Sequence, residues 1–273
     1  MLSIDQFESA FRAAAKTPYH PEEVAIERVL VVTDLPPAHA QAYADRAIPM
    51  LTGDAEFIAL AGKDSHDIQA LLDNIAQVDP QLIVSYRCLH SPAWRLPYTV
   101  GDHIEVLTQS TTIPVLLLPR IDTGHAAREP LIPPQCVMAL TDHLVGDDHL
   151  VSWAASLAAE RLVLAHIEDE AAFQRTMHLI ARIPEINTDL ARRKLSGLML
   201  DEATDWIASC RRQLSERLTV SEVVQMGGRL STCRDLITDH GVDLLVLNTK
   251  DDEQLAIHGL AWPLMIELRD IPL

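Results

Sequence analysis

Two aspartates stand where chemistry could be done. Asp34 ends the run Arg28-Val29-Leu30-Val31-Val32-Thr33, and Asp142 ends the run Cys136-Val137-Met138-Ala139-Leu140-Thr141. Runs this apolar read as central strands of a parallel sheet, buried on both faces. A carboxylate at the C-terminal end of such a strand lies where open α/β sheets bind ligands. The alternative is a helix N-cap or a loop carboxylate that satisfies backbone N–H groups. Each half also carries a glycine followed thirteen residues on by a proline, Gly101 to Pro114 and Gly259 to Pro272. Glycine ahead of a helix lets the backbone approach an anion, and the helix N-terminus adds free N–H groups and a positive dipole end. The plainer reading of both is ordinary turn chemistry.

Other residues invite chemistry less. Asp142, His143, Asp147, Asp148 and His149, with His166 on a neighbouring strand, are metal-ligand types. They show no HxH, HxxxH or HExxH spacing, so they read as loop and surface residues, and no metal is expected. No glycine-flanked nucleophile surrounds Ser85 or Ser91, so no catalytic residue is assigned and the chain reads as a non-enzyme. Arg192, Arg193, Lys194, Arg211, Arg212 and Arg217 form a basic stripe, read as a solvated helix face paired with Glu202, Asp205 and Glu216. Trp94 and Tyr98 either cover a pocket or interface, or pack over a sheet end. Cys88, Cys136, Cys210 and Cys233 lack metal or redox spacing and read as reduced thiols.

Strands alternating with helices must position these groups. Strands are expected at 29–33, 57–61, 82–85 and 115–118, then at 137–140, 162–167, 220–225 and 244–247. Helices are expected at 38–51, 68–78 and 102–108, then at 149–159, 170–180, 191–218, 230–239 and 260–268. A short amphipathic helix is expected within residues 1–25, and the prolines and glycine of 121–134 read as a linker. The organisation is thus a first domain at 26–120 and a second at 135–273. The second run from Asp to Gly is much the longer, so the first domain is shortened either by roughly one strand–helix unit or by the long helical insert, and the sequence does not say which unit is missing. Such a repeat fixes architecture before any single motif does.

Composition narrows the function. Hydrophobic residues are 48% and aromatics only 4%, so the core must be mainly aliphatic, as in a helix-covered parallel sheet. The formal net charge of −17 disfavours nucleic acid and anionic membrane surfaces as partners. Asp5, Glu8 and Arg12 interrupt any leader-like apolar stretch, no run is long enough to span a bilayer, and a cytoplasmic location is expected without membrane insertion.

The order of these pieces resembles the universal stress protein family, in a tandem form, from residue 26 onward. The resemblance rests on the strand-ending Asp34 and Asp142, on Leu164-Ala165-His166-Ile167, on Val224-Gln225-Met226-Gly227-Gly228, and on the run from Gly101 to Pro119. It implies two doubly wound parallel-sheet domains. ATP-binding members of that family carry Gly-x2-Gly-x9-Gly-Ser/Thr and an aspartate at the adenosine pocket. Here Cys88 and Ser91 stand at the earlier glycine positions of the first half, and Asp102 follows Gly101. In the second half those positions hold Val246 and Thr249, or Asn248 when counted from the strand, and Leu260 follows Gly259. Asp251, Asp252 and Glu253 would repel a triphosphate by on the order of 1 kcal/mol each. The resemblance therefore implies a stress-related, non-enzymatic binding or regulatory protein without ATP and without a cofactor. The alternative is a small-molecule or nucleotide binder using the second domain. Asp34, Asp142, His166, Gly227, Asn248, Gly259 and Gly101 are the residues it nominates around a ligand. The partners left open are a second copy of the chain and a protein partner. Val115–Leu118 and the long helices of 191–218 are the surfaces expected to pair, since only Leu273 follows Pro272.

Overall fold

The computed structural model describes residues 18–51, 54–92, 96, 98–120, 132–141, 147–249 and 260–273. The first half runs β1 (Arg28–Val32), α1 (Pro37–Ala47), a 3-10 turn (Ile48–Met50), β2 (Glu56–Leu60), α2 (Gly62–Ser65), α3 (Ile68–Val78), β3 (Leu82–Tyr86), α4 (Asp102–Ser110) and β4 (Val115–Leu118). The second runs β5 (Cys136–Thr141), α5 (Asp148–Leu157), β6 (Arg161–Asp169), α6 (Glu170–Ile180), α7 (Thr188–Leu214), β7 (Thr219–Gly227), α8 (Arg229–His240), β8 (Leu244–Leu247) and α9 (Ala261–Glu267).

Two parallel four-stranded sheets result, in the orders β2-β1-β3-β4 and β7-β6-β5-β8. Val29 stands level with Phe57 on one side and Leu82 on the other, and Val137 stands level with Leu162 and Leu244. β1, β2 and β3 thus correspond to β5, β6 and β8. β7, with the long α7 before it, has no first-half counterpart among the described residues. This identifies the missing strand–helix unit as the outer edge of the first sheet. β4 in turn is matched in the second half only by Pro272 and Leu273.

Those two residues join the sheets. Leu245 of β8 donates to the Pro272 carbonyl at 3.2 Å, and Leu117 of β4 exchanges both backbone bonds with Leu273, at 2.8 and 3.0 Å. A mutual exchange of this kind is an antiparallel pair. The Val115–Leu118 edge expected to serve a second copy is therefore engaged within the chain at Leu117. Further ties cross between the halves. The Tyr19 N–H donates to Ser209 Oγ at 2.9 Å, and its hydroxyl meets Ser152 Oγ at 3.0 Å. Residues 18 and 19 belong to no helix or strand; residues 1–17, with the expected first helix, lie outside the described residues, as do 121–131 of the expected linker.

Strand periodicity distributes the core. Val137 and Ala139 face a cluster that also contains Leu30, Ile83, Leu117, Leu162, Trp206 and Leu244, so one apolar core spans both halves. Cys136, Met138 and Leu140 point to the opposite face, with Val163, Leu245 and Leu264. Full burial of each such aliphatic side chain contributes about 1.5–3 kcal/mol. Helix starts follow capping chemistry. Asp67, Asp147, Asp169 and Asn187 accept the N–H bonds of Ala70, Leu150, Ala172 and Leu190. The Asn187 cap explains why α7 begins three residues ahead of its expected start at 191.

Candidate functional site

The C-terminal ends of β1 and β3 carry the densest polar arrangement of the first half. β1 delivers Thr33 and Asp34, and β3 delivers Tyr86, followed by a turn in which Cys88 and His90 have φ of 59° and 56°. Two left-handed non-glycine residues so close together are a strained arrangement of the kind found at functional sites. The turn carries His90 back towards β1. Asp34 is held from both sides: Tyr86 donates its hydroxyl to Asp34 Oδ1, and the His90 N–H donates to Oδ2 at 3.3 Å. The Asp34 N–H in turn donates to the Tyr86 hydroxyl at 2.9 Å. Burial and the Asp34 hydrogen bond push the Tyr86 phenol well above its ordinary range, so it stays a donor.

Of the two plainer readings of Asp34, the helix N-cap is not seen, since the residue ahead of α1 is Pro36 with no side-chain cap; the loop carboxylate is, since Asp34 accepts the His90 backbone N–H as well as the Tyr86 hydroxyl. Gly62 shows why the local chain is glycine: a Cβ there would stand 2.6 Å from the Asp34 carbonyl oxygen. Ser65, at the end of α2, donates to the Thr33 carbonyl at 2.8 Å and meets His90 Nε2 at 2.8 Å.

Three imidazoles gather above this floor. The His66 and His90 ring centroids are 5.0 Å apart, and those of His90 and His103 are 4.9 Å apart. His66 Nδ1 lies 3.4 Å from His90 Nδ1, and His103 Nε2 donates to the His66 carbonyl at 2.9 Å. Burial, with a smaller contribution from the neighbouring His103, holds the His90 imidazole below its usual range. The sequence reading did not single out these histidines. The available signal was position, since each follows closely on a strand end or opens α4 at the ligand-binding end of a parallel sheet.

Gly101 has φ +93°, and a Cβ would stand 2.9 Å from Cys88 Cα. Its N–H already donates to Thr99 Oγ1 at 3.0 Å, and Asp102 and Glu105 occupy the first turn of α4. The glycine therefore serves close backbone packing, and two carboxylates stand where an anion would need positive potential.

Beside Gly101, Arg87 is buried, with a relative exposure of 5%. Its guanidinium donates to the carbonyls of Met265 and Leu268 at the end of α9, and its Nε has no partner. Burial lowers its pKa to about 10, so it remains a cation at neutral pH. Sequence reasoning missed it because a single Arg after a strand carries no periodic signal.

In the second half His166 is buried, with Nε2 3.2 Å from Glu168 Oε2, two residues on and on the same face of β6. Gly227 ends β7 level with Asp169, and a Cβ there would meet Thr232 Oγ1 at 2.3 Å. Asn248 donates to Asp147 Oδ2, and Thr249 Oγ1 donates to the Thr108 carbonyl of the first half at 3.3 Å. Asp142, His143, Gly259 and the acids at 251–253 lie outside the described residues. The remaining members of the nominated metal group have separate partners. Asp147 caps α5 and holds Asn248, while His149 Nδ1 meets Glu22 Oε2 at 2.8 Å and its Nε2 accepts from Trp153 at 3.0 Å. Asp148 lies 3.7 Å from His20. Among the described residues no group of three or more His, Cys, Asp or Glu is placed to hold a metal ion.

The basic stripe and Tyr98 are placed as well. Arg211 pairs with Glu222 of β7 at 3.1 Å, Arg192 bonds Gln174 at 2.9 Å, and Arg217 bonds the Ala155 carbonyl. These three members of the basic stripe hold neighbouring elements. Tyr98 is 77% exposed, so it does not pack over the sheet end, and Trp94 lies outside the described residues. All four cysteines are free and buried.

The fold and these sites define a parallel α/β protein of two four-stranded sheets, with polar groups gathered at strand ends. Among the described residues no helix is long and apolar enough to cross a membrane. No protein-family model and no curated protein matches the chain. Among solved structures, hypothetical protein MJ0577 is 16% identical, covering 51% of this chain and 92% of its own, with a TM-score of 0.37. Hypothetical protein PH0823 is 15% identical, covering 50% and 90%, with a TM-score of 0.34. The dTDP-4-dehydrorhamnose reductase of Bacillus anthracis str. Ames, solved with NADP, is 10% identical, covering 90% and 98%, with a TM-score of 0.24. Scores this low, at such identities, carry no argument about family or function.

Proposed function

We infer that this is a non-enzymatic binding or regulatory protein of the universal stress type that works without ATP. The observation that carries the reading is the state of Asp34. Each of its oxygens already accepts a bond, from the Tyr86 hydroxyl or the His90 N–H, so a ribose or base would have to share the carboxylate with them. Gly101 supports it, since its N–H is bonded to Thr99 and its α-carbon packs on Cys88. The acids in the first turn of α4 oppose a phosphate at the same place. The stress-related role and the cytoplasmic location come from the sequence resemblance.

A thermal-shift series with Mg-ATP, ADP and AMP tests this. No change in melting temperature at millimolar nucleotide is expected. An ATP-dependent rise that Asp142→Ala abolishes and Asp34→Ala leaves intact would replace this reading with nucleotide binding in the second half.

A further inference from the structure

We propose that His66 and His90 form a two-imidazole site for a divalent transition-metal ion of the zinc class, at the C-terminal end of the first sheet. Ser65 Oγ lies 2.8 Å from the Thr33 carbonyl, 3.3 Å from the Ala61 carbonyl and 2.8 Å from His90 Nε2; all three groups are served when the hydroxyl donates to a carbonyl and His90 carries its proton on Nε2. Neutral His90 therefore directs a bare Nδ1 lone pair at His66 Nδ1, 3.4 Å away. That separation is long for an N–H···N hydrogen bond. Two imidazole nitrogens on one tetrahedral zinc, each at about 2.0–2.1 Å, stand about 3.3–3.4 Å apart.

The surroundings supply what such a site needs. The outer N–H of a metal-bound histidine normally donates to a fixed acceptor, and Ser65 Oγ fills that role for His90. The left-handed turn at His90 anchors its backbone N–H on Asp34. His103 acts as a positioning residue: its Nε2–H holds the His66 carbonyl and leaves its own Nδ1 as a lone pair. Two protein ligands are one fewer than the three of open catalytic zinc sites, so the other coordination positions would be filled by water or by donor atoms of a bound molecule. Imidazole suits zinc and copper and disfavours magnesium or calcium, which require oxygen. The inference adds a ligand class to the binding role proposed above.

The test is calorimetric titration of the full chain with Zn²⁺ alone, at neutral pH and without nucleotide, so its failure leaves the ATP result standing. Wild type is expected to show one site tighter than any other. His66→Ala and His90→Ala should each weaken that site by about tenfold or more, and Ser65→Ala by about 10–100-fold. His149→Ala, distant from the cluster, should leave it unchanged. Should the His90 or Ser65 variant fail to fold by circular dichroism, the exposed His66 carries the test by itself. Absence of a distinct wild-type site, or wild-type affinity in His66→Ala, overturns the proposal.

Discussion

Among the described residues the first sheet carries β4 at one edge and no counterpart of β7 at the other, whereas the second has β7 as its outer strand and only Pro272 and Leu273 at the place of β4. The halves meet at the β4 and β8 edges. Hydrogen bonds run from β4 through Leu273 and Pro272 to β8, and a shared apolar core lies across both sheets. The strand ends differ in the same way. In the first half Asp34 is closed in by Tyr86 and a strained turn. In the second, His166 turns to Glu168 and Asn248 turns to Asp147. A repeat can thus keep its strand order while each copy disposes of the strand-end polar groups by different means.

Separating the halves should have the largest effect. Residues 1–122 expressed alone lose the partners of Tyr19, Arg87 and Leu117 together with half of the shared core. No cooperative thermal transition is expected by circular dichroism. A soluble fragment with a sharp melt would show that the first sheet stands without the second.

Arg87→Met comes next. It leaves the carbonyls of Met265 and Leu268 without their charged donor, at a cost on the order of 2–4 kcal/mol. Urea denaturation measures this. A loss below 1 kcal/mol would mean that the apolar replacement compensates.

Leu117→Pro removes the N–H given to Leu273, on the outward side of β4 where the ladder to β3 is not broken. A loss on the order of 1 kcal/mol is expected in the same assay. Sedimentation of wild type and variant sharpens the point. A wild-type dimer that Leu117→Pro leaves intact would place the self-association surface away from this edge, at the helices of 188–214.

A pH dependence at alkaline pH comes last, with two buried thiols of the second half contributing beside the raised Cys88, Tyr43 and Tyr86 of the first. Burial pushes Cys210 and Cys233 up to about 12. Above the ordinary thiol value of about 8.5 the unfolded chain loses these protons first, so stability should fall as pH rises towards 12. Double substitution by Ala should flatten that decline in melts above pH 9. An unchanged slope would assign it to other groups.

Much of the fold was legible in the sequence, because it is carried by periodic signals. Helices at 68–78 and 170–180 and strands at 115–118 and 244–247 lie where apolar spacing puts them, and Asp67 and Asp169, not singled out in the sequence, cap the two helices. The four-residue α2 escaped, since one turn has no periodicity, and with it Ser65 and the role of Gly62. The site was less legible. Asp34 and Gly101 are correctly located at strand and helix ends, but their partners come from positions far apart in sequence. Tyr86 is 52 residues from Asp34, and Arg87 is 178 from Met265. Nothing local to Tyr86, Arg87 or His90 announces such contacts.

We propose that the protein works without ATP, with the strand-end carboxylate of the first half engaged internally by Tyr86 and His90. Isothermal titration of the full chain with Mg-ATP decides this. No binding heat is expected at micromolar nucleotide, in wild type and in Asp34→Ala alike. A micromolar dissociation constant for wild type would overturn the proposal.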